Sequence, residues 1–138
     1  MRLSRASLYA LHGMAYLAGQ ASRNYISLAT IRKALGLPEK HLAKIFQTLA
    51  RSGLLNSLRG VKGGFALARP AGRIRLLEII QTIDGLPRAN CPVHQNAPAP
   101  HRCCPVNRVV VDSRQRFFDP LRGTSLADLI QGTPLRPS

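Results

Sequence analysis

All three cysteines of the 138-residue chain, Cys91, Cys103 and Cys104, fall within residues 88–105, RANCPVHQNAPAPHRCCP, together with His94 and His101. Thiolates are the ordinary ligands of iron–sulfur centres, and three of them need a fourth donor. Cysteine and histidine within one loop also suit a tetrahedral zinc site. A third chemistry is thiol oxidation, in which Cys91 forms a reversible disulfide with Cys103 or Cys104 once the loop brings them together. The odd cysteine count, with no convincing export signal ahead of it, argues for metal or redox chemistry over a structural disulfide framework.

This stretch has no helix or strand period and holds four of the ten prolines. A loop that long in a compact protein is usually functional or disordered. The elements around it are easier to read. Residues 4–19 predict a helix capped by Ser4, with Leu8, Leu11, His12, Ala15 and Ala18 as its buried stripe. Residues 27–35 predict a second, capped by Ser27 and stopped by Gly36. A third follows from Pro38 to about Ser52, with Leu42, Ile45, Phe46 and Leu49 facing inward. A short connection containing glycine gives helix-turn-helix spacing.

Beyond Gly53, residues 54–58 and 65–68 predict two short strands joined by the basic, glycine-rich turn Arg59–Gly64. That makes a wing. Residues 74–83 predict a fourth helix, ended by Gly85 and Pro87. A long helix runs from Pro105 to Leu121 with Val106, Val109, Val110, Ser113 and Phe117 on one stripe. Ser125 caps a last helix over 126–131. The fold class expected is mainly α with a small β-wing. Residues 1–87 form the winged helix-turn-helix domain and 88–105 the cysteine-bearing sensor loop. Residues 106–131 form the dimerisation helix and short C-terminal helix, and 132–138 a tail.

Charge selects the partner. Lys and Arg number 20 against 6 acids, a net charge of +14. Residues 1–70 contain one acid, Glu39, and all four lysines lie between positions 33 and 62. That imbalance favours a phosphate backbone over a merely solvated surface. On the third helix Lys40, His41, Lys44 and Gln47 lie off the core face, where a recognition helix meets base edges and phosphates. Arg59 and Lys62 on the wing would reach phosphate or the minor groove. No apolar run reaches the roughly 18–20 residues of a spanning helix, and the N-terminus makes a poor signal peptide, so a cytoplasmic protein is expected. No nucleophile–base–orienter set is visible and the few acids leave little acid–base material, so catalysis is not expected.

ISLATIRKALGLPEKHLAKIFQTLARSGLLNSLRGVKGGFALAR, followed by IRLLEIIQTIDG, resembles the IscR/NsrR (Rrf2) family of winged-helix transcription regulators. MRLSRASLYALHGMAYLA is similar to the family's opening helix, and LRGVKGGFALAR is the most specific part. The resemblance implies a homodimer on a pseudo-palindromic operator. It adds Ser27 and Gly63 to the DNA-contacting set. It also implies an iron–sulfur cluster, 2Fe–2S ahead of 4Fe–4S, that tunes DNA binding.

By position, Cys91 matches the family's first ligating cysteine and Cys104 its last. Cys103 has no clean counterpart, because eleven residues separate it from Cys91 and Cys104 follows at once. Members can draw a further ligand from the first helix of the partner subunit, which makes His12 the candidate fourth donor. Leu8 stands where some members carry an acid, and Asn107 where some carry a histidine; neither replacement is a good iron ligand. The rival readings are a cluster-free regulator of the same fold using thiol oxidation, zinc or a partner protein, and an architectural DNA-binding protein.

Overall fold

Capping side chains set the helix starts. The Ser4 hydroxyl accepts from the Ser7 amide at 3.0 Å and opens α1, Arg5–Gly19. The Ser27 hydroxyl accepts from the Thr30 amide at 3.2 Å and opens α2, Leu28–Leu35. Gly36, at φ 65°, ends α2 in the left-handed conformation that glycine adopts without strain. After Leu37 and Pro38 the chain enters α3, Glu39–Arg51. The strands β1, Leu55–Leu58, and β2, Gly64–Leu67, pair antiparallel with Leu55 opposite Leu67 and Leu58 opposite Gly64. Then come a 3-10 turn at Ala71–Arg73, α4 at Leu76–Asp84, α5 at Pro105–Gly123 and α6 at Leu126–Gly132. The computed structural model describes residues 3–20, 24–85 and 105–132, the side chains of Glu39 and Asn107 excepted.

The architecture is mainly helical with a two-stranded wing, as the sequence predicts. Met14 of α1, Ile31 of α2, Phe46 and Leu49 of α3, Leu55 of β1, Ile79 of α4 and Leu126 of α6 share one buried core. Because Leu126 is fully buried there, the short last helix packs with the helix-turn-helix elements, on α1 and on the 3-10 turn. Backbone pairing fixes it in place. The Leu76 amide donates to the Thr124 carbonyl and the Leu126 amide to the Ile74 carbonyl, both at 3.0 Å. Among the described residues no helix is long and apolar enough to cross a membrane.

Three local expectations are corrected. The buried face of α1 is Ser7, Ala10, Gly13, Met14, Ala15 and Leu17, while Leu8 and His12 are exposed. Close approach contributes to this: a Cβ on Gly13 would stand 2.6 Å from the Phe46 ring, so the side of α1 that carries Gly13 is the one against α3. Helix α4 starts at Leu76 rather than Ile74, because the pairing with residues 124–126 holds that stretch extended. Pro38 is extended at φ −65°, ψ 131° and precedes the helix rather than opening its first turn.

Candidate nucleic-acid interface

The exposed basic face of α3 is set by its apolar stripe. Leu42, Ile45, Phe46 and Leu49 are buried, which leaves Lys40, His41, Lys44, Gln47 and Arg51 exposed. Phe46 also reaches the wing. Its ring meets Phe65 of β2 edge to face, with centroids 5.2 Å apart at 64°. Helix α3 and the wing are therefore one packed unit.

The wing is anchored a second time. Ile26 and Phe65 exchange both backbone hydrogen bonds, at 3.0 and 2.9 Å, so the segment before α2 pairs with β2. That contact leaves no room for a side chain at Gly64, whose Cβ would enter the Ile26 carbonyl. A Cβ on Gly63 would likewise enter the Leu58 carbonyl. These two glycines let the turn fold back tightly, and it carries Arg59 and Lys62 exposed beside a fully exposed Val61.

Ser27, Thr30, Lys62 and Gly63 line one open notch between the start of α2 and the wing, about 620 Å³ in volume. The Ser27 and Thr30 hydroxyls are 2.7 Å apart on one rim, with Lys62 on the other. Helix-start amides, hydroxyls and an ammonium group together suit an anionic oxygen. The structure thus brings Ser27, Lys62 and Gly63 to one notch and places Lys40, His41, Lys44 and Gln47 on the exposed side of α3.

Among the described side chains, the acids do not pair with this surface. Glu78 accepts from the Arg75 amide and from Arg69, each at 3.0 Å. Asp84 accepts from the hydroxyls of Ser4 and Ser7, at 2.5 and 2.6 Å. Asp128 accepts from the Ser125 amide, and Asp119 pairs with Arg122, both at 3.0 Å. Burial works against ionisation at Glu78 and Asp84, but their hydrogen bonds outweigh it and hold both below the usual carboxylate value. Asp128 is held down chiefly by the Ser125 amide. None of these contacts involves Lys40, Lys44, Arg59 or Lys62. The tertiary use of Asp84 escaped the sequence reading, since nothing in the local pattern links it to residues 77 and 80 positions away.

Of the expected metal ligands, Cys91, Cys103 and Cys104 lie outside the described residues, as does the whole 88–104 stretch. His12 lies on α1, exposed one turn from the exposed Leu8. Among the described residues no three His, Cys, Asp or Glu come together. On α5, Val106, Val109 and Val110 are 70, 65 and 41% exposed.

Comparison with known proteins agrees with this geometry. The Rrf2 family model, described as an iron-dependent transcriptional regulator, matches residues 3–132. Protein aau3 of Rhizobium meliloti (strain 1021) is 32% identical over 136 residues, covering 97% of this chain and 88% of the relative. IscR of T. potens superimposes with a TM-score of 0.76 at 25% identity, over 96% of this chain and 88% of that one. CymR (YrzC), the global cysteine regulator of B. subtilis, does so with a TM-score of 0.78 at 25% identity, over 96% and 98%. The chain belongs to the Rrf2 family of DNA-binding transcription regulators.

Proposed function

We propose that this protein is a cytoplasmic homodimeric regulator whose hold on DNA follows redox, nitric oxide or iron–sulfur status. The observation that carries the DNA half is the exposed basic face of α3 joined to a basic wing through Phe46 and Phe65. The N-terminal part of α3 enters the major groove, where Lys40, His41, Lys44 and Gln47 meet base edges and phosphates. Ser27, Lys62 and Gly63 hold a backbone phosphate in their notch, and Arg59 reaches the backbone or the minor groove. The exposed valines of α5 bury against their copies in a second chain, setting two recognition helices about one DNA turn, roughly 34 Å, apart.

The sensing half rests on donor chemistry. Cys91, Cys103 and Cys104 supply thiolates, and His12 is an exposed imidazole without a hydrogen-bond partner among the described residues. That set suits a 2Fe–2S cluster, which when bound supplies a one-electron centre open to oxidants and nitric oxide. His12 ties the set to α1, the helix against which α3 packs. Losing that tie frees the sensor loop from the DNA-binding core.

Anaerobic purification with an absorption spectrum and iron and sulfide assays tests this. A coloured protein with stoichiometric iron that bleaches in Cys91→Ala supports the reading, and a colourless, iron-free protein after reconstitution removes it. The likeness to a global cysteine regulator favours one alternative, a cluster-free thiol switch. That alternative predicts no iron and DNA binding that changes with oxidation of Cys91.

A further inference from the structure

On the side of α3 that faces α1 there is a half-open cavity of about 480 Å³. It is separate from the notch beside the wing, and its volume is within the range of small-molecule sites, roughly 300–1,000 Å³. Its inner wall is apolar: Ile45 is buried, and Tyr9 and Ile83 are half-buried. Its rim carries three exposed basic side chains, Arg5, His41 and Lys44, and among the described side chains no acid lines it. A bare phosphate has no use for the apolar wall, and an uncharged ligand leaves the rim unused. An apolar body bearing one negative group satisfies both.

We propose that this cavity binds a small organic anion of the medium-chain or aromatic carboxylate class, and that its occupancy opposes DNA binding. The apolar body lies against Tyr9, Ile45 and Ile83, and the carboxylate sits among Arg5, His41 and Lys44. The second half rests on the DNA-binding reading, in which His41 and Lys44 face phosphates and bases. A carboxylate that draws these two side chains toward α1 takes them from the DNA. The coupling is reciprocal: DNA weakens the carboxylate by the same factor as the carboxylate weakens DNA.

Octanoate is the probe, with octanol as its uncharged counterpart. Full-length protein labelled at isoleucine methyl groups is titrated with each and followed by NMR. Saturable shifts at Ile45 and Ile83, tighter for octanoate than for octanol, are expected. Arg5→Ala weakens octanoate by about threefold, as loss of one exposed ion pair does, and leaves octanol unchanged. The unchanged octanol arm shows that the variant is folded. Equal affinity for the two probes, shifts confined to other isoleucines, or an indifferent Arg5→Ala overturns the site.

Binding to a duplex of the protein's own promoter DNA is then measured with saturating octanoate against sodium chloride of equal ionic strength. Weaker binding only with octanoate supports the coupling, and equal binding overturns it. The first titration contains no DNA. A protein that binds octanoate but no duplex therefore refutes the DNA reading and not the cavity.

Discussion

The carboxylate of Asp84, at the end of α4, accepts a hydrogen bond of 2.6 Å from the hydroxyl of Ser7 in the first turn of α1. The Ser4 hydroxyl and amide donate to the same carboxylate. A negative charge at a helix start is stabilising, and here it comes from the last residue of another helix. The cysteine-bearing stretch follows this anchor in sequence within a few residues.

Asp84 makes stability depend on acid. Its folded-state value is below the ordinary 3.8, because the Ser4 and Ser7 hydroxyls outweigh the effect of burial. Its contribution is therefore complete above the unfolded-state value and is lost as pH falls through the folded one. Urea unfolding across pH 2.5–6 should show a loss below about pH 4, and Asp84→Asn should flatten it. Solvent screening keeps the neutral-pH cost of Asp84→Asn to about 1 kcal/mol or less.

Lys62 and Gln47 should separate affinity from specificity. Lys62→Ala weakens binding to every sequence and lowers the slope of log affinity against log salt by about one. Gln47→Ala alters which bases are preferred with a smaller change in that slope. Salt titrations on operator and scrambled duplexes measure both.

Gly13 and Phe46 are coupled through a single contact. Gly13→Ala puts a methyl group 2.6 Å from the Phe46 ring. It should cost about 1–3 kcal/mol, the range for overpacking. Phe46→Leu also destabilises, but on that background Gly13→Ala should cost less. A double-mutant cycle by chemical denaturation reads the difference.

Val109, 65% exposed on α5, should matter to assembly and not to folding. Val109→Asp should leave thermal unfolding of the monomer within about 0.5 kcal/mol of the parent. Sedimentation equilibrium should show loss of the dimer, and operator affinity should fall because half-sites are no longer held together.

The elements were legible where one residue governs a boundary. Ser4, Ser27, Gly36, Gly85 and Ser125 each sit at a helix end as their types require. The basic face of α3 was legible because its apolar positions fix which side turns outward. Reading failed where a distant partner decides. On α1 the periodicity points to Leu8, Leu11, His12, Ala15 and Ala18, but the buried face is rotated onto Ser7, Ala10, Gly13, Met14, Ala15 and Leu17, with Phe46 over Gly13. Ile74 looked helical until its carbonyl met the Leu126 amide, 52 positions later. The bridge from Ile26 to Phe65 and the cavity beside α3 are products of packing between elements, and no window of sequence contains them.

The exchange of hydrogen bonds between residues 74–76 and 124–126 makes one end of α5 a fulcrum. Thr124 is clamped to Leu76, and Leu126 is sunk in the core. The helix cannot pivot about that end without unlatching α6 from α1. Its other end is Pro105, the residue directly after Cys104 in sequence. A displacement at the Pro105 end, 19 residues or roughly 28 Å away at helical rise, would shrink toward the clamped end and act there as torque on the pairing of Thr124 with Leu76.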